Sequence, residues 1–154
     1  MTIEKRLAEL GIVLPVPRAP AFSYVPVAVQ GGLAWVSGQL PWEADGGLSK
    51  GKLGADASVD QGKRAARLCV INGLSVLKAA LGSLERVERI VKVVGFVASA
   101  PGFVEQPAVV DGASTLLGEV FGEAGRHARS AIGVAELPRG VPVEVEFVAA
   151  VRAG

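Results

Sequence analysis

The clearest structural signal in the chain is the alternating sequence VEVEFVAAV at residues 143–151. Side chains of a β-strand point alternately to the two faces of a sheet, so this pattern predicts a strand whose odd-numbered residues form one apolar face. The other face carries Glu144 and Glu146 and then continues as Val148 and Ala150. Because this second face is also largely apolar, we expect it to form an interface with a polar pocket around the two carboxylates.

Four more strands are predicted before this one, from runs rich in Val, Ile and aromatic residues. They are Tyr24–Val29, Leu33–Ser37, Val87–Ser99 and Arg129–Glu136. Gln30, Gly31 and Gly32 suit a tight hairpin between the first two strands, because glycine readily adopts positive φ angles. Residues 137–140, Leu-Pro-Arg-Gly, predict the turn that leads into the last strand.

Three segments have the apolar spacing of helices: Thr2–Leu10, Ser58 to about Leu81, and Gln106–Gly122. In the second, one stripe at helical spacing runs from Ala66 to Leu81. The resulting order, β-β-α-β-α-β-β after a short helix, predicts an α+β fold with a mostly antiparallel sheet and two helices on one face. Residues 1–154 read as a single domain, in which residues 1–19 form the short N-terminal helix and a proline-rich extended arm.

Composition narrows the classes of partner. Lys and Arg total 16 against 15 Asp and Glu, and half of the residues are hydrophobic. The sequence pI of about 7.9 makes a nucleic acid an improbable ligand, because such binders usually show a basic stripe. No signal-peptide pattern and no membrane span is evident, and the single cysteine, Cys69, sits in an apolar run that predicts burial. We therefore expect a cytoplasmic protein that does not bind membranes and that hides part of its apolar surface in an oligomer.

The densest polar cluster lies at the entry to the fourth strand, around Arg129. Along that strand Arg129 alternates with Ala131 and Gly133, whose small side chains leave space for a ligand. A guanidinium binds a carboxylate through two parallel hydrogen bonds, so a carboxylate site is one interpretation and a surface arginine paired with a glutamate is the other. His127 is the only histidine and suits an acid–base role or an ordinary position at the strand entry.

Other kinds of chemistry have little support. One histidine and one cysteine make a dedicated transition-metal site improbable, and neither a phosphate-binding loop nor a dinucleotide fingerprint is present. Glu144 and Glu146 share a strand face, where one could position a water or shuttle a proton, or both could form a salt-bridged interface pair. The residues alone leave these alternatives open.

Two motifs in the right order give the chain a family resemblance. Residues 129–138, RSAIGVAELP, followed by VEVE at residues 143–146, resemble the C-terminal signature of the Rid/YjgF family. Residues 37–41, SGQLP, resemble the Ser-Gly-Gln-Ile-Pro motif of the same family. Arg129 and Glu144 have the family's spacing, and the resemblance covers about residues 20 to 152. The N-terminal arm and the stretch from Gly125 to Ser130 are similar to the branch named endoribonuclease L-PSP/chorismate mutase-like.

This resemblance implies a chorismate-mutase-like fold and a homotrimer in which three sheets form a central β-barrel. It also implies hydrolysis of small enamine or imine acids to 2-keto acids and ammonia, in clefts between subunits and without a cofactor. By position, Arg129 would hold the substrate carboxylate and Glu144 would orient the attacking water. Tyr24, Ser37 and Ala131 would line the substrate cleft, and Ala131 stands where many members have a cysteine.

Departures from the family pattern concern the substrate more than the fold. Asp111 lies near the position of an asparagine in typical deaminases, and the segment from Ser99 to Ala108 is longer than usual. Three functions therefore remain as hypotheses: an imine deaminase, a non-catalytic module that binds a small carboxylate metabolite, and, with least support, an endoribonuclease. The ribonuclease lacks both a basic surface and an evident acid–base pair.

Overall fold

A computed structural model describes all residues from Met1 to Gly154 and shows an α+β fold with three helices and one five-stranded sheet. The helices are α1 (Ile3–Glu9), α2 (Val59–Leu81) and α3 (Gln106–Phe121). The strands are β1 (Val27–Gln30), β2 (Leu33–Gln39), β3 (Val87–Ala98), β4 (Ala128–Val134) and β5 (Val143–Val151). Each predicted helix and strand is present, although several bounds differ.

The ends of α2 follow directly from its sequence. The Gln61 amide donates to Ser58 Oγ at 3.1 Å, and the Ser58 amide donates to Gln61 Oε1 at 2.8 Å. This reciprocal pair satisfies two amides that the first turn leaves unbonded. Gly82 ends the helix with a φ of 82°, a conformation that favours glycine. Although α2 is the longest helix, neither it nor any other is long and apolar enough to cross a membrane.

The sheet has the strand order β1-β2-β5-β3-β4, with antiparallel pairing everywhere except between β3 and β4. The sheet is therefore mixed, and the prediction of a mostly antiparallel sheet holds for three of its four pairings. Parallel strands need a crossover connection, and α3 supplies it between β3 and β4. The short α1 also joins the helical layer through Leu7, which is buried, so three helices rather than two accompany the sheet.

The helices cover one face of the sheet, as the sequence predicts. The odd-numbered residues of β5 are buried there, and Phe147 is only 2% exposed. Two glycines allow the layers to approach closely. A Cβ at Gly73 of α2 would overlap the Phe147 ring, and one at Gly95 of β3 would overlap Val110 of α3. The hydrophobic core therefore lies between this face and the two long helices.

The opposite sheet face is open and largely apolar. Trp35 of β2 is 53% exposed and Ile132 of β4 is 43% exposed, while Phe96 and Val148 between them are half-buried. Monomeric proteins rarely expose a contiguous apolar surface of this kind. Glu144 and Glu146 lie on the same face of β5, at the end nearer the turn that precedes the strand.

The first strand begins later than predicted. The sequence suggested Tyr24–Val29, but β1 starts at Val27 and Tyr24 lies in a bend before it. Pro26 has no N–H for the sheet and contributes only its carbonyl, which accepts from the Ser37 amide at 2.9 Å. The residues before β1 therefore belong to the extended arm rather than to the sheet.

Candidate functional site

A cavity of about 680 Å³ lies where the arm, the end of β2 and the start of β5 meet. Its lining includes three of the residues predicted from sequence: Tyr24, Ser37 and Glu144. The antiparallel pairing of β2 with β5 places Gln39 opposite Val145, so the SGQLP and VEVE motifs are neighbours in space. A cavity of this volume is typical of small-molecule sites.

A bulge in β2 makes room for the Glu144 side chain. The register between β2 and β5 shifts between Val36 and Gln39, and Gly38 lies within this irregular segment. A Cβ at Gly38 would overlap the Glu144 carboxylate, so glycine is what allows that carboxylate to lie over the strand. This contact gives a physical reason for the glycine of the SGQLP motif.

Burial raises the pKa of Glu144 above its ordinary value of 4.5, and the neighbouring charge of Glu146 raises it further. None of the salt bridges within the chain includes Glu144. A carboxylate with a raised pKa is a stronger base than a solvated one, which suits it to accept a proton from water.

Other polar groups around the cavity are already hydrogen-bonded within the protein. Ser37 Oγ donates to the Val25 carbonyl at 2.7 Å and thereby ties the arm to β2. Gln39 Nε2 donates to the Ser37 carbonyl at 3.0 Å. Asn72 of α2, which is 8% exposed, donates to the carbonyls of Trp42 at 3.0 Å and Leu68 at 2.8 Å. These groups hold the walls of the cavity in place.

Two arginines that sequence reasoning did not single out also line the cavity. Arg18 belongs to the arm and Arg139 to the turn before β5, and both approach the ring of Trp42. Neither had a periodic pattern or a motif to mark it. The only available signal was the LPRG turn, whose arginine adopts a positive φ of 59°.

Arg129 lies on the other side of the sheet, against α3. It donates through Nη1 to Asp111 Oδ1 at 2.6 Å and to Ser114 Oγ at 3.3 Å, and through Nη2 to the Pro107 carbonyl at 3.2 Å. Its side chain is 22% exposed, whereas that of Asp111 is 60% exposed. Three residues of α3 therefore accept hydrogen bonds from the guanidinium, and part of its surface remains exposed to solvent.

A hydrogen-bonded chain extends from Arg129 to His127. His127 Nδ1 lies 2.6 Å from the Gly125 carbonyl and must donate to it, so in the neutral ring Nε2 accepts from Ser114 Oγ at 2.8 Å. Burial lowers the pKa of His127 below its ordinary value of 6.5, and the charge of Arg129 also lowers it. The ring is therefore neutral at pH 7 and orients the Ser114 hydroxyl that accepts from Arg129.

Within the single chain Arg129 and Glu144 are not brought together. Glu144 is opposite Phe96, which is opposite Ile132, so Arg129 lies two strands away and on the other sheet face. Gln106 of α3 occupies the space beside Gly133 that the sequence suggested for a ligand. Ala131 packs against the hydrophobic core.

Cys69 is fully buried, as predicted, and its Sγ lies 3.6 Å from the Val143 carbonyl. Burial raises the pKa of its thiol well above the ordinary value, so it behaves as a small apolar side chain. No group of three or more His, Cys, Asp or Glu side chains is arranged to hold a metal ion.

Comparison with known proteins identifies relatives along nearly the whole chain. Residues 4–145 match the family model described as "YjgF/chorismate_mutase-like, putative endoribonuclease". Protein TCP17 of Trypanosoma cruzi is 50% identical over 145 residues, which cover 94% of this chain and 91% of that protein.

Two solved structures share the fold closely. The crystal structure of Atu1372 from Agrobacterium tumefaciens, a protein of unknown function, has 46% identity and a TM-score of 0.90, covering 99% of this chain and 93% of its own. A "putative endoribonuclease" from Shewanella oneidensis MR-1 has 37% identity and a TM-score of 0.94, covering 98% and 100%.

Proposed function

Because the chain belongs to the YjgF/chorismate-mutase-like family, we propose that it hydrolyses small 2-imino acids to 2-oxo acids and ammonia. The observation that carries the proposal is the pairing of a cavity that holds Glu144 with a separately anchored guanidinium, Arg129. Glu144 can accept a proton from water, and Arg129 can bind the substrate carboxylate. The reaction needs little more, since such imines already hydrolyse in water.

The two half-sites would meet between subunits. The open sheet face has exposed Trp35 and Ile132 at its two sides and needs an apolar partner. A homotrimer whose sheets enclose a central barrel would cover these faces. In this trimer, β4 of one subunit would carry Arg129 to the border of the Glu144 cavity in the next subunit.

Arg129 keeps donors available for a ligand. Its hydrogen bonds to Asp111, Ser114 and Pro107 use three of its five N–H groups and leave Nε–H and one Nη2–H. These two donors can form charge-assisted hydrogen bonds to a carboxylate. A bound carboxylate would fix the imine carbon in position, so orientation would supply part of the acceleration.

Glu144 would move the protons. As water attacks C2 of the iminium, the carboxylate takes one of its protons, and the C2–O bond forms while the C2–N double bond becomes single. That proton is then delivered to the amino nitrogen. The C2–N bond breaks as the carbonyl forms, and the hydroxyl proton returns through Glu144 to the departing ammonia. The products are a 2-oxo acid and ammonium, with Glu144 regenerated.

A more distant relative supports a small carboxylate ligand. The crystal structure of Escherichia coli TdcF contains bound serine. The two chains are 25% identical, with a TM-score of 0.64, and the match covers 92% of this chain and 96% of TdcF. Serine carries a carboxylate and a nitrogen on the neighbouring carbon, which are the two groups that a 2-imino acid would present.

The test is the rate of ammonia release from a 2-imino acid generated in place by an amino-acid oxidase. Arg129→Ala should lower kcat/KM about tenfold to a hundredfold, since it removes charge-assisted hydrogen bonds to the substrate. Arg126→Ala removes a neighbouring exposed arginine and should leave the rate unchanged. Glu144→Gln should lower kcat about a hundredfold or more, whereas Glu146→Gln, which removes only a charge that raises the pKa of Glu144, should lower it less. Equal rates with and without the enzyme would disprove the proposal.

One observation favours a second function, binding without turnover. Asp111 places a carboxylate against the guanidinium that should hold the substrate carboxylate, so the site is suited to weak, reversible capture of a metabolite. A rise in melting temperature with a 2-oxo acid, together with no release of ammonia, would indicate this function. Ribonuclease activity has less support, because the one histidine is engaged by Ser114 and the Gly125 carbonyl.

A further inference from the structure

The Glu144 cavity contains a positive region that the proposed reaction does not use. Arg18 and Arg139 come from segments far apart in sequence, the arm and the turn before β5, and both line the cavity. Neither takes part in any of the protomer's salt bridges. Two guanidiniums therefore face the same space without an acidic partner.

Trp42 holds both guanidiniums in place. The guanidinium carbon of Arg18 lies 3.9 Å from the centroid of the Trp42 ring, and that of Arg139 lies 5.4 Å from it. Contact with an aromatic ring engages the flat face of a guanidinium and leaves the N–H groups on its edge available. The half-buried Trp42 is itself fixed, because its carbonyl accepts from Asn72 of α2 at 3.0 Å.

The backbone at Arg139 supports a specific placement. Arg139 is the only non-glycine residue with a positive φ, in a conformation that costs free energy for a residue with a side chain. Gly51 donates its amide to the Gly140 carbonyl at 3.0 Å, which anchors the turn in this geometry. The turn directs the Arg139 side chain towards Trp42 and the cavity.

Few other donors compete for a ligand in this cavity. The side-chain donors of Ser37, Gln39 and Asn72 are bonded to backbone carbonyls. The remaining side-chain donors of the lining are the two guanidiniums, the Tyr24 hydroxyl, the Trp42 indole N–H and the second amide N–H of Gln39, and of these only the guanidiniums carry charge. With a single carboxyl group, that of Glu144, in the lining, the cavity favours an anion.

We propose that Arg18 and Arg139 form a second anion-binding subsite, which selects 2-imino acids whose side chain ends in a second carboxylate. This inference rests on the proposed function for the identity of the reacting end and extends it to the other end of the substrate. The cavity volume of about 680 Å³ is far larger than a three-carbon imino acid requires. A longer, doubly charged acid would use both the volume and the unpaired charge.

The test compares two stable 2-oxo acids of equal length by isothermal titration calorimetry on the assembled protein. 2-Oxoglutarate carries a second carboxylate, and 2-oxovalerate carries a methyl group at the same place. The protein should bind 2-oxoglutarate about tenfold more tightly. Arg18→Gln and Arg139→Gln should each reduce this ratio towards one. Lys5→Gln, which removes an exposed cation outside the cavity lining, should leave it unchanged.

Other outcomes separate this inference from the proposed function. Equal affinities for the two acids, or no saturable binding of 2-oxoglutarate, would overturn the subsite, whatever the result of the ammonia assay. A ratio that survives in both arginine variants would overturn it as well. If the ratio behaves as expected but no ammonia is released from any imine, the subsite stands and the proposed reaction fails.

Discussion

The Arg129 guanidinium donates to Asp111 Oδ1 at 2.6 Å, across the short gap between β4 and α3. Nearby, Pro107 and Ser114 accept from the same guanidinium, so a single helix supplies all three of its partners. A carboxylate therefore already lies against the group for which the family resemblance implies a carboxylate ligand. The ion pair both holds the guanidinium in place and weakens its attraction for an incoming anion.

Asp111→Asn should strengthen ligand binding. The amide keeps an oxygen that can accept from Arg129 Nη1 but removes the negative charge. Because Asp111 is 60% exposed, the gain is modest, up to about fivefold in the Kd of a 2-oxo acid. Isothermal titration calorimetry measures it, with Asp60→Asn in the first turn of α2 as a control for loss of one negative charge. Unchanged or weaker binding would show that Asp111 serves to position the guanidinium.

His127 should make stability depend on pH below neutrality. Its pKa is lowered in the folded protein, so the unfolded chain binds more protons between that value and 6.5. The contribution of neutral His127 to the free energy of unfolding should therefore be fully present above pH 6.5. It should be lost as pH decreases through the lowered pKa. His127→Ala should cost about 1 kcal/mol at pH 7, through the lost hydrogen bond to Gly125, and should remove this pH dependence.

Urea unfolding at a series of pH values between 5 and 8 checks this expectation. Ser114→Ala is the matched control. It removes the hydroxyl that donates to Nε2 but leaves the ring and its bond to Gly125, so the pH dependence should persist. A pH dependence that is unchanged in His127→Ala would assign it to other groups.

The fold was largely predictable because its elements have strong local signals. Strict alternation located β5, and the pattern from Ser58 to about Leu81 located α2. The parallel pairing of β3 with β4 was not predictable in this way, since a strand's sequence does not specify its neighbour's direction. The late start of β1 depends on Pro26, whose carbonyl still bonds to Ser37, so propensity alone placed the boundary too early.

The candidate site was predictable only where a motif marked it. Tyr24, Ser37 and Glu144 line one cavity, and their roles towards a substrate stay a prediction. Arg18 and Arg139 have no periodicity, because a loop residue's neighbours are set by the path of the chain and not by local sequence. The sequence likewise does not specify that the Arg129 side chain lies against α3, because this depends on where the fold places Pro107 and Asp111.

Glu144→Gln should stabilise the protein at neutral pH. The pKa of Glu144 is raised in the folded state, so the folded protein binds more protons than the unfolded chain between 4.5 and the raised value. The stability contributed by the neutral acid is present below pH 4.5 and is lost as pH rises through the folded pKa. At pH 7 the partly buried, ionised carboxylate therefore lowers the free energy of unfolding. The neutral glutamine removes this destabilisation.

We expect a rise in Tm of about 2 °C at pH 7, since the group retains partial contact with solvent. The difference from the unaltered protein should shrink as pH falls towards 4.5, and differential scanning calorimetry at several pH values would measure it. Gly118→Ala, where an added Cβ has open space, serves as a pH-independent control. A loss of stability at pH 7 would mean that Glu144 makes a favourable contact in the assembled protein.

Trp35→Glu should dissociate the proposed homotrimer. Trp35 is 53% exposed in the protomer and lies on the open sheet face, so a charge there would be buried against an apolar neighbour if that face forms an interface. Light scattering coupled to size exclusion should give about three times the 15.8 kDa chain mass for the unaltered protein and a single chain for the variant. Thr115→Glu adds the same charge at an exposed position of α3, on the helical side of the sheet, and should leave the assembly intact.

Because the proposed site needs Arg129 from one subunit and Glu144 from another, Trp35→Glu should also abolish imine hydrolysis although it alters neither residue. A fully active monomer would show that the two half-sites work without a shared interface.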